Sequence, residues 1–410
     1  MGRAVHVFMT PLQPVYNRKN MMKKIFMTVC SMACLTTMAA QDLSKVKVVS
    51  DSLFLDNKTY VSGNKYQRDA MLFVDVIADT HPYYIKPERR DSLFRLQDNL
   101  LKACGECSND SVFVGLLVKT LGPLHDKHTD VIDLARLSRK KNEAAQGEAL
   151  RHAETSTRAA FMDRSDVPFR YVIVPEHSLC YLQFNQCVDA RTAHTDTLPR
   201  WDTMLDEMFA KMKAGEIKAL VVDAQYNNGG SSMLCDELLI HLRPLSEIRS
   251  MSSHLRFSRI MAAYNPRVGI AKKSWEDAGH IDELYPMPAG KVSPSFVQPE
   301  VYQGMVIFVQ GERTYSSAGI LMTLARDNHI GMIVGEKSTY SPSHYGEVIP
   351  FRLPNTGVVG TVCSKFFARP DKEHVDDTCL LPDVMLDLKD KDAAWQRIIQ
   401  LVKTHTTHMP

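Results

Sequence analysis

The chain has 410 residues, of which 44% are hydrophobic and 23% charged, enough for one large folded domain and a smaller one. Its 49 basic and 47 acidic residues leave a net charge of +2, which excludes a broad electrostatic attraction to nucleic acid or to an anionic membrane. Preference for a substrate must therefore come from local geometry.

The N-terminal segment predicts export. A short basic start, Met21-Met22-Lys23-Lys24, precedes an apolar run from Ile25 to Ala40. This run is typical of a secretory signal peptide and is short for a membrane span, and small residues at its end place cleavage near Gln41. We assign residues 1–40 to an N-terminal extension and signal peptide. We expect a periplasmic or extracellular protein that keeps no membrane span after the signal is removed.

Cysteines are frequent but do not form a convincing metal motif. The predicted mature chain holds an odd number of them, so they cannot all pair: Cys104, Cys107, Cys180, Cys187, Cys235, Cys363 and Cys379. Cys104 and Cys107 have redox or metal spacing, yet no second ligand pair follows at matching spacing, which favours a local disulfide or two free thiols over zinc. Cys34 is a candidate for lipid attachment, but residues 31–33 match a lipoprotein signal poorly, so we favour cleavage.

The first part of the mature chain is predicted to be helical. Apolar residues recur at three-to-four spacing in Arg68–Ala78, Asp91–Cys104 and Ser111–Leu121. We assign residues 41–137 to a small helical N-terminal domain. The polar, charge-rich residues 138–168 are predicted to be a linker.

Residues 169–410 are predicted to form an α/β domain. The β-type runs are Tyr171–Val174, Leu179–Phe184, Ala219–Val222, Met305–Val309 and Gly331–Val334. Trp201–Ala214 and Ser316–Asp327 are predicted helices that each lead into a strand, as in a layered α/β fold. The polar, proline-containing region Lys272–Pro299 is predicted to form surface loops.

A turn with paired glycines follows one predicted strand. Asp223 to Gly230 ends in Asn-Gly-Gly, before a predicted helix at Ser231–Leu242. Glycines allow positive φ and close approach to a carbonyl, and amides at a helix start can stabilise an oxyanion. An ordinary tight turn is the alternative interpretation.

A serine and a histidine are candidates for catalysis. Ser316 opens a predicted helix after a buried strand, where a serine is also often only an N-cap. His128 closes the helical region in Leu124-His125-Asp126-Lys127-His128-Thr129 and is a candidate general base. The spacing of His125 and His128 also suits a metal on a helix, but we find no third ligand motif and predict no metal.

In this order, the motifs resemble the serine peptidases that include C-terminal processing proteases, tricorn protease and interphotoreceptor retinoid-binding protein. The Leu-x-Asp-x-His-Thr element is Leu124 to Thr129, and the Asp-x-x-x-Asn-x-Gly-Gly turn is Asp223 to Gly230. Three shorter elements follow: Thr314 to Ala318 as the nucleophile region, Val334 to Glu336 as Val-Gly-Glu, and Pro382-Asp383. The resemblance implies an α/β core like the spiral of the ClpP and crotonase superfamily.

The resemblance also selects a branch of that family. The processing proteases activate their serine with a lysine after Val-Gly-Glu, but the matching position here is about Ser341, and no PDZ-like segment follows His128. The tricorn-like branch, which uses a histidine, fits better. It implies an acidic residue shortly before Pro382-Asp383, for which Asp376 is the candidate and Glu373 and Asp377 are the alternatives.

By this resemblance Ser316 is the nucleophile of an acyl-enzyme, His128 its base and Asp376 the acidic residue that orients the site. Ser317 and either Gly229 or Gly230 supply the oxyanion amides. The expected protein is a secreted endopeptidase or tail-processing peptidase that acts on a peptide or protein, with no cofactor.

Three departures from the family pattern leave open an alternative, a secreted binding protein of the same fold without catalysis, against which the retained Ser316, His128 and acidic residue argue. The departures are Gln225, Gly319 and Cys379, which stand where arginine, glutamate and glycine are usual. A third hypothesis is a thiol or metal protein, which requires Cys104, Cys107, His125 and His128 to converge.

Overall fold

The structure, a computed structural model, describes residues 45–54, 63–132, 162–288 and 296–406. The predicted signal peptide and residues 138–161 of the predicted linker lie outside these ranges. No helix within them combines the length and the apolar character that crossing a membrane requires.

The described residues form helices and strands in alternation. The helices are α1 (Lys65–Thr80), α2 (Pro87–Gly105), α3 (Asp110–Leu121), α4 (Trp201–Ala214), α5 (Ser232–Leu242), α6 (Arg259–Tyr264), α7 (Pro266–Asp277), α8 (Ser317–Asp327) and α9 (Lys391–Thr406). The strands are β1 (Asp130–Ile132), β2 (Phe169–Val174), β3 (Leu179–Phe184), β4 (Ala219–Asp223), β5 (Ser252–Leu255), β6 (Tyr285–Pro286), β7 (Met305–Gln310), β8 (Met332–Gly335), β9 (His344–Arg352), β10 (Val359–Ala368) and β11 (Val384–Met385). The predicted helices and β-type runs are confirmed, apart from small differences at their ends.

A six-stranded sheet forms the centre of the larger core, in the order β11-β8-β7-β4-β3-β2. Its strands are parallel except for the β2–β3 pair. Every residue of β3, β4 and β7 is buried, as expected for strands covered on both faces. Helices α4, α5 and α8 pack on one face and α9 packs on the other. This is the α/β core predicted from the sequence.

The N-terminal helices pack on a second sheet. It has the order β1-β10-β5-β6, with β9 paired to β10. Apolar residues of α1, α2 and α3 share one buried cluster with Phe351 of β9 and Val362 of β10. The helical region is therefore built against strands that follow it by more than 200 residues.

One predicted region differs from the structure. Lys272–Pro299, predicted as surface loops, contains the second half of α7 and the short strand β6. Helix α7 buries none of its residues, so it carries no apolar stripe from which a helix could be predicted. Its i,i+4 pairs Lys272–Glu276 and Lys273–Asp277 support it instead.

Candidate active site

Ser316 occupies a strained position between β7 and α8. Its φ of 56° and ψ of −126° are rare for a residue with a side chain. The side chain is 3% exposed and does not cap the amides of the first helical turn, which removes the N-cap interpretation. Such strain persists only where the surroundings enforce it, and it is typical of functional positions.

The glycine turn packs directly against Ser316. A Cβ on Gly229, whose φ is +97°, would lie 2.6 Å from Ser316 Cβ and 2.9 Å from Ser317 N. A Cβ on Gly230 would lie 2.4 Å from the carbonyl oxygen of Cys187. Both positions therefore require glycine, for their positive φ and for the close approach of neighbouring backbone.

Hydrogen bonds join the turn to the nucleophile segment. Tyr315 N donates to the Asn227 carbonyl at 2.9 Å. Thr314 Oγ1 donates to the Ala224 carbonyl, and Ser317 Oγ donates to the Gly230 carbonyl, each at 2.8 Å. The two segments thus form one rigid unit around Ser316.

The three predicted oxyanion donors differ in what their amides contact. The amide of Gly229 donates to Asn227 Oδ1 at 2.8 Å, so it is already occupied. The amides of Gly230 and Ser317 have no acceptor within the described ranges. These two amides are the ones that remain to bind an oxyanion.

His128 lies beside this unit, on the segment that leads into β1. Its ring stacks on Tyr315 with centroids 5.0 Å apart, and Tyr315 Oη lies 3.3 Å from His128 Nδ1. Thr361 of β10 donates to the His128 carbonyl at 3.0 Å. Nε2 of His128 is buried and has no hydrogen-bond partner in the described part of the chain. A base needs such a nitrogen, and its bond to a nucleophile often forms only when substrate binds.

The carboxylate beside His128 is Asp126, not Asp376. Asp126 Oδ1 accepts from the His128 amide at 3.0 Å and lies 3.5 Å from Nδ1. Asp376 and Glu373 are exposed, and neither contacts His128 within the residues described. Asp377 pairs with Arg369 instead. The carboxylate that contacts His128 therefore belongs to a residue inside the Leu-x-Asp-x-His-Thr element.

A second histidine, His81 at the end of α1, contacts the same carboxylate. Its Nε2 lies 3.1 Å from Asp126 Oδ2, and its Nδ1 accepts from the Tyr83 amide. The accepting Nδ1 fixes the tautomer, so Nε2 carries the proton that is donated to Asp126. Burial alone would raise the pKa of Asp126, but the hydrogen bonds from His128 and His81 outweigh it and hold this pKa well below its usual range.

A third histidine faces the site from the start of β9. The His344 ring centroid lies 6.2 Å from that of His128. Burial, with a smaller contribution from the nearby His128, lowers the pKa of His344 to about 4. No motif predicted His81 or His344, because both reach the site only through the packing of the second sheet.

The structure does not support a metal in this region. His81, Asp126 and Cys363 are the one group of three possible ligands found among the described residues. Both ring nitrogens of His81 are engaged, so it has no lone pair left for an ion. The proposed cluster of Cys104, Cys107, His125 and His128 does not form such a group, and His125 is exposed.

Comparisons with known proteins concern the family and the fold. A sequence model described as Peptidase family S41 matches residues 178–386, slightly more than half of the chain. The matched segment contains the glycine turn and Ser316 and begins after His128. No curated protein sequence matches the chain.

Solved structures share the fold. One, from Parabacteroides merdae ATCC 43184, has a TM-score of 0.53 at 16% identity and covers 82% of this chain and 96% of that chain. Mature CPAF complexed with lactacystin has a TM-score of 0.55 at 12% identity and covers 82% of this chain and 98% of that chain. At these identities, the likeness establishes the fold alone.

Proposed function

Because the chain belongs to peptidase family S41 and is a serine-type peptidase, we propose that it cleaves peptide bonds through an acyl-enzyme at Ser316. His128 acts as the general base. The observation that carries this proposal is the strained Ser316. It shares one unit with two amides that have no acceptor within the described ranges, and His128, whose Nε2 has no partner there, stacks on the neighbouring Tyr315.

The reaction starts with attack of Ser316 Oγ on the carbonyl carbon of the scissile bond. His128 Nε2 takes the proton from Oγ, while Asp126 and Tyr315 Oη contact Nδ1 on the other side of the ring. The carbonyl oxygen becomes negative and accepts from the amides of Gly230 and Ser317. His128 then returns the proton to the leaving amine, and water hydrolyses the acyl-enzyme by the same steps.

The charges around His128 favour this proton transfer. The ionised Asp126 stabilises the imidazolium that forms, and it stays ionised because its pKa is held low. The neutral His344 adds no positive charge that would oppose protonation of His128 above about pH 4. The substrate is a peptide or protein, cut by an endopeptidase or tail-processing reaction.

A mechanism-directed probe tests the acyl-enzyme. Mature protein is incubated with a fluorophosphonate, and the intact mass is compared for wild type, Ser316→Ala and His128→Ala. We expect one adduct on wild type, none on Ser316→Ala, and labelling of His128→Ala slowed by at least ~10²-fold. Folded wild type that takes up no adduct contradicts this proposal and favours the non-catalytic binding protein.

We also propose that the protein is exported to the periplasm or the cell exterior. The support is the basic start and apolar run in residues 21–40. N-terminal sequencing of protein expressed from the full chain tests this, with an expected start near Gln41. Intracellular protein that retains Met21 and the apolar run contradicts it.

A further inference from the structure

Two cysteines lie next to each other behind the glycine turn. The Sγ atoms of Cys187 and Cys235 are 3.6 Å apart, and their residues are 1% and 0% exposed. Cys187 follows β3, and Cys235 is in the first turn of α5. All cysteines of the described ranges are free thiols in this structure.

The backbone of Cys187 supports the turn that carries the candidate oxyanion amides. Its amide donates to the Gly229 carbonyl at 3.0 Å, and its carbonyl accepts from Ser231 at 2.8 Å. The same carbonyl closely contacts Gly230, where a Cβ would lie 2.4 Å away. A displacement of Cys187 must therefore displace the turn, because no space separates them.

The two thiols also contact the site through their side chains. Cys187 Sγ lies 3.5 Å from Asn227 Oδ1, the oxygen that holds the Gly229 amide. Cys235 Sγ lies 3.3 Å from the carbonyl oxygen of Ser317. In the reduced state each S–H can donate to a group that shapes the site beside Ser316.

We propose that Cys187 and Cys235 form a reversible disulfide that lowers the reactivity of Ser316. Each thiol loses one proton and one electron as the S–S bond forms. A low-molecular-weight disulfide such as glutathione disulfide takes up both electrons and both protons and leaves as two thiols.

Closure has a direct structural cost. A disulfide requires sulfurs about 2.05 Å apart, so the two atoms must approach by roughly 1.5 Å. Both S–H donors disappear, and the movement of Cys187 displaces the Gly229–Gly230 turn. The amides that bind the oxyanion then leave their positions relative to Ser316, while binding of a substrate chain elsewhere is less affected.

The reaction is slow in the folded protein. The hydrogen bond with Cys187 and burial raise the pKa of the Cys235 thiol well above its usual value, which keeps the nucleophilic thiolate scarce. The experiment therefore uses long incubation with glutathione disulfide, with reduced dithiothreitol as the matched condition. Cys107→Ser serves as the background, since Cys104 and Cys107 contact each other and would give a second disulfide.

Peptide mapping and labelling are then measured on the same samples. We expect a linked peptide pair containing Cys187 and Cys235, a mass lower by two hydrogens, and fluorophosphonate labelling slowed by at least ~10-fold. Dithiothreitol should restore the two free thiols and the original labelling rate. The double variant Cys107→Ser, Cys235→Ser keeps a hydroxyl near the Ser317 carbonyl but cannot form the disulfide. We expect it to label at the same rate with glutathione disulfide as with dithiothreitol.

The outcomes separate this proposal from the proposed function on which its effect rests. Absence of the linked pair overturns the disulfide, and a linked pair with an unchanged labelling rate overturns its regulatory role. If reduced protein takes up no probe, the acyl-enzyme at Ser316 is wrong, while the peptide map still decides whether the disulfide forms. The peptide map is made on protein that keeps Cys187 and Cys235, so it does not depend on the folding of Cys235→Ser.

Discussion

Asp126 contacts the candidate base with one carboxylate oxygen and is itself held through the other. Oδ1 contacts the amide and ring of His128, while Oδ2 accepts from His81 and from Thr129 Oγ1. A carboxylate in this position selects the tautomer with a proton on Nδ1, which leaves the lone pair on Nε2. We expect Asp126→Asn to slow labelling of Ser316 by at least ~10²-fold, because an amide can stabilise the wrong tautomer.

The control for this prediction is Asp376→Asn, which removes the carboxylate suggested by the family resemblance. Asp376 is exposed, so its substitution should leave both the labelling rate and the free energy of unfolding close to wild type. Circular dichroism of both variants separates loss of function from loss of fold. The reverse result, with Asp376→Asn inactive and Asp126→Asn active, would restore the sequence-based assignment.

His81 should act through Asp126 rather than on the substrate. His81→Gln keeps a donor for Oδ2, whereas His81→Phe leaves that oxygen with fewer partners in a buried site. We expect His81→Phe to lower the labelling rate and to shift its pH profile, with partial rescue in His81→Gln. Equal rates and profiles for both variants and wild type would show that His81 only fills space.

Residue roles were harder to predict than residue positions. The sequence motifs pointed to Ser316, His128 and the glycine turn as candidates because these are contiguous patterns with a physical meaning, and the structure places the three segments side by side. Asp126 lies within the Leu-x-Asp-x-His-Thr motif. The motif does not show that its carboxylate contacts His128 and also His81, which is 45 residues away in the sequence. Spacing alone also could not show that the Gly229 amide is occupied by Asn227.

At the level of elements, the glycine turn can pack against Ser316 only because Gly229 has no side chain. Gly229→Ala places a Cβ 2.6 Å from Ser316 Cβ at a φ of +97°, so the turn and Ser316 must move apart. Gly279→Ala is a matched control, because its φ is +93° and nothing lies within 4 Å of the added Cβ. We expect both variants to lose about 1–2 kcal/mol from backbone strain. Only Gly229→Ala should lose labelling of Ser316, by ~10²-fold or more.

Urea denaturation and labelling rates measured on both glycine variants test this prediction. Similar loss of labelling in the two would mean that general destabilisation, not the local clash, controls reactivity. Unchanged labelling in Gly229→Ala would mean that the turn does not position Ser316.

Elements with a strong apolar pattern were predicted well. Strands β3, β4 and β7 are buried throughout, and their continuous apolar runs marked them in the sequence. Helix α7 was missed because it buries no residue, and the β9–β10 hairpin was missed although it supplies much of the second sheet. In β9 the buried positions are irregularly spaced, which hides the alternation expected of a strand.

At the scale of the whole molecule, the site lies where the two sheets meet. Ser316 and the glycine turn follow strands of the six-stranded sheet, while His128 precedes β1 and its carbonyl is held by β10 of the second sheet. Helix α1 adds His81 from the N-terminal region. Assembly of the site therefore requires the whole described fold, and conditions that loosen either sheet should act on the site as well.

Buried histidines make that fold sensitive to acid. Burial lowers the pKa of His241 and of His344 from 6.5 to about 4 in each case. In the unfolded chain the same groups bind protons near their ordinary pKa. Between these values the unfolded state holds more protons than the folded state, so the free energy of unfolding falls as the pH decreases from 6.5 to about 4.

His241 offers the cleaner test of this effect, because it lies on α5 and stacks on Phe209 with ring centroids 4.6 Å apart. His241→Phe removes the titrating group and keeps an aromatic ring. We expect its free energy of unfolding to fall by about 1–3 kcal/mol less than that of wild type between pH 6.5 and 4, as measured by urea denaturation at each pH. The exposed His405 supplies the control, and His405→Phe should follow wild type. Parallel pH curves for His241→Phe and wild type would mean that His241 gains its proton equally in the folded and unfolded chains, in spite of its burial.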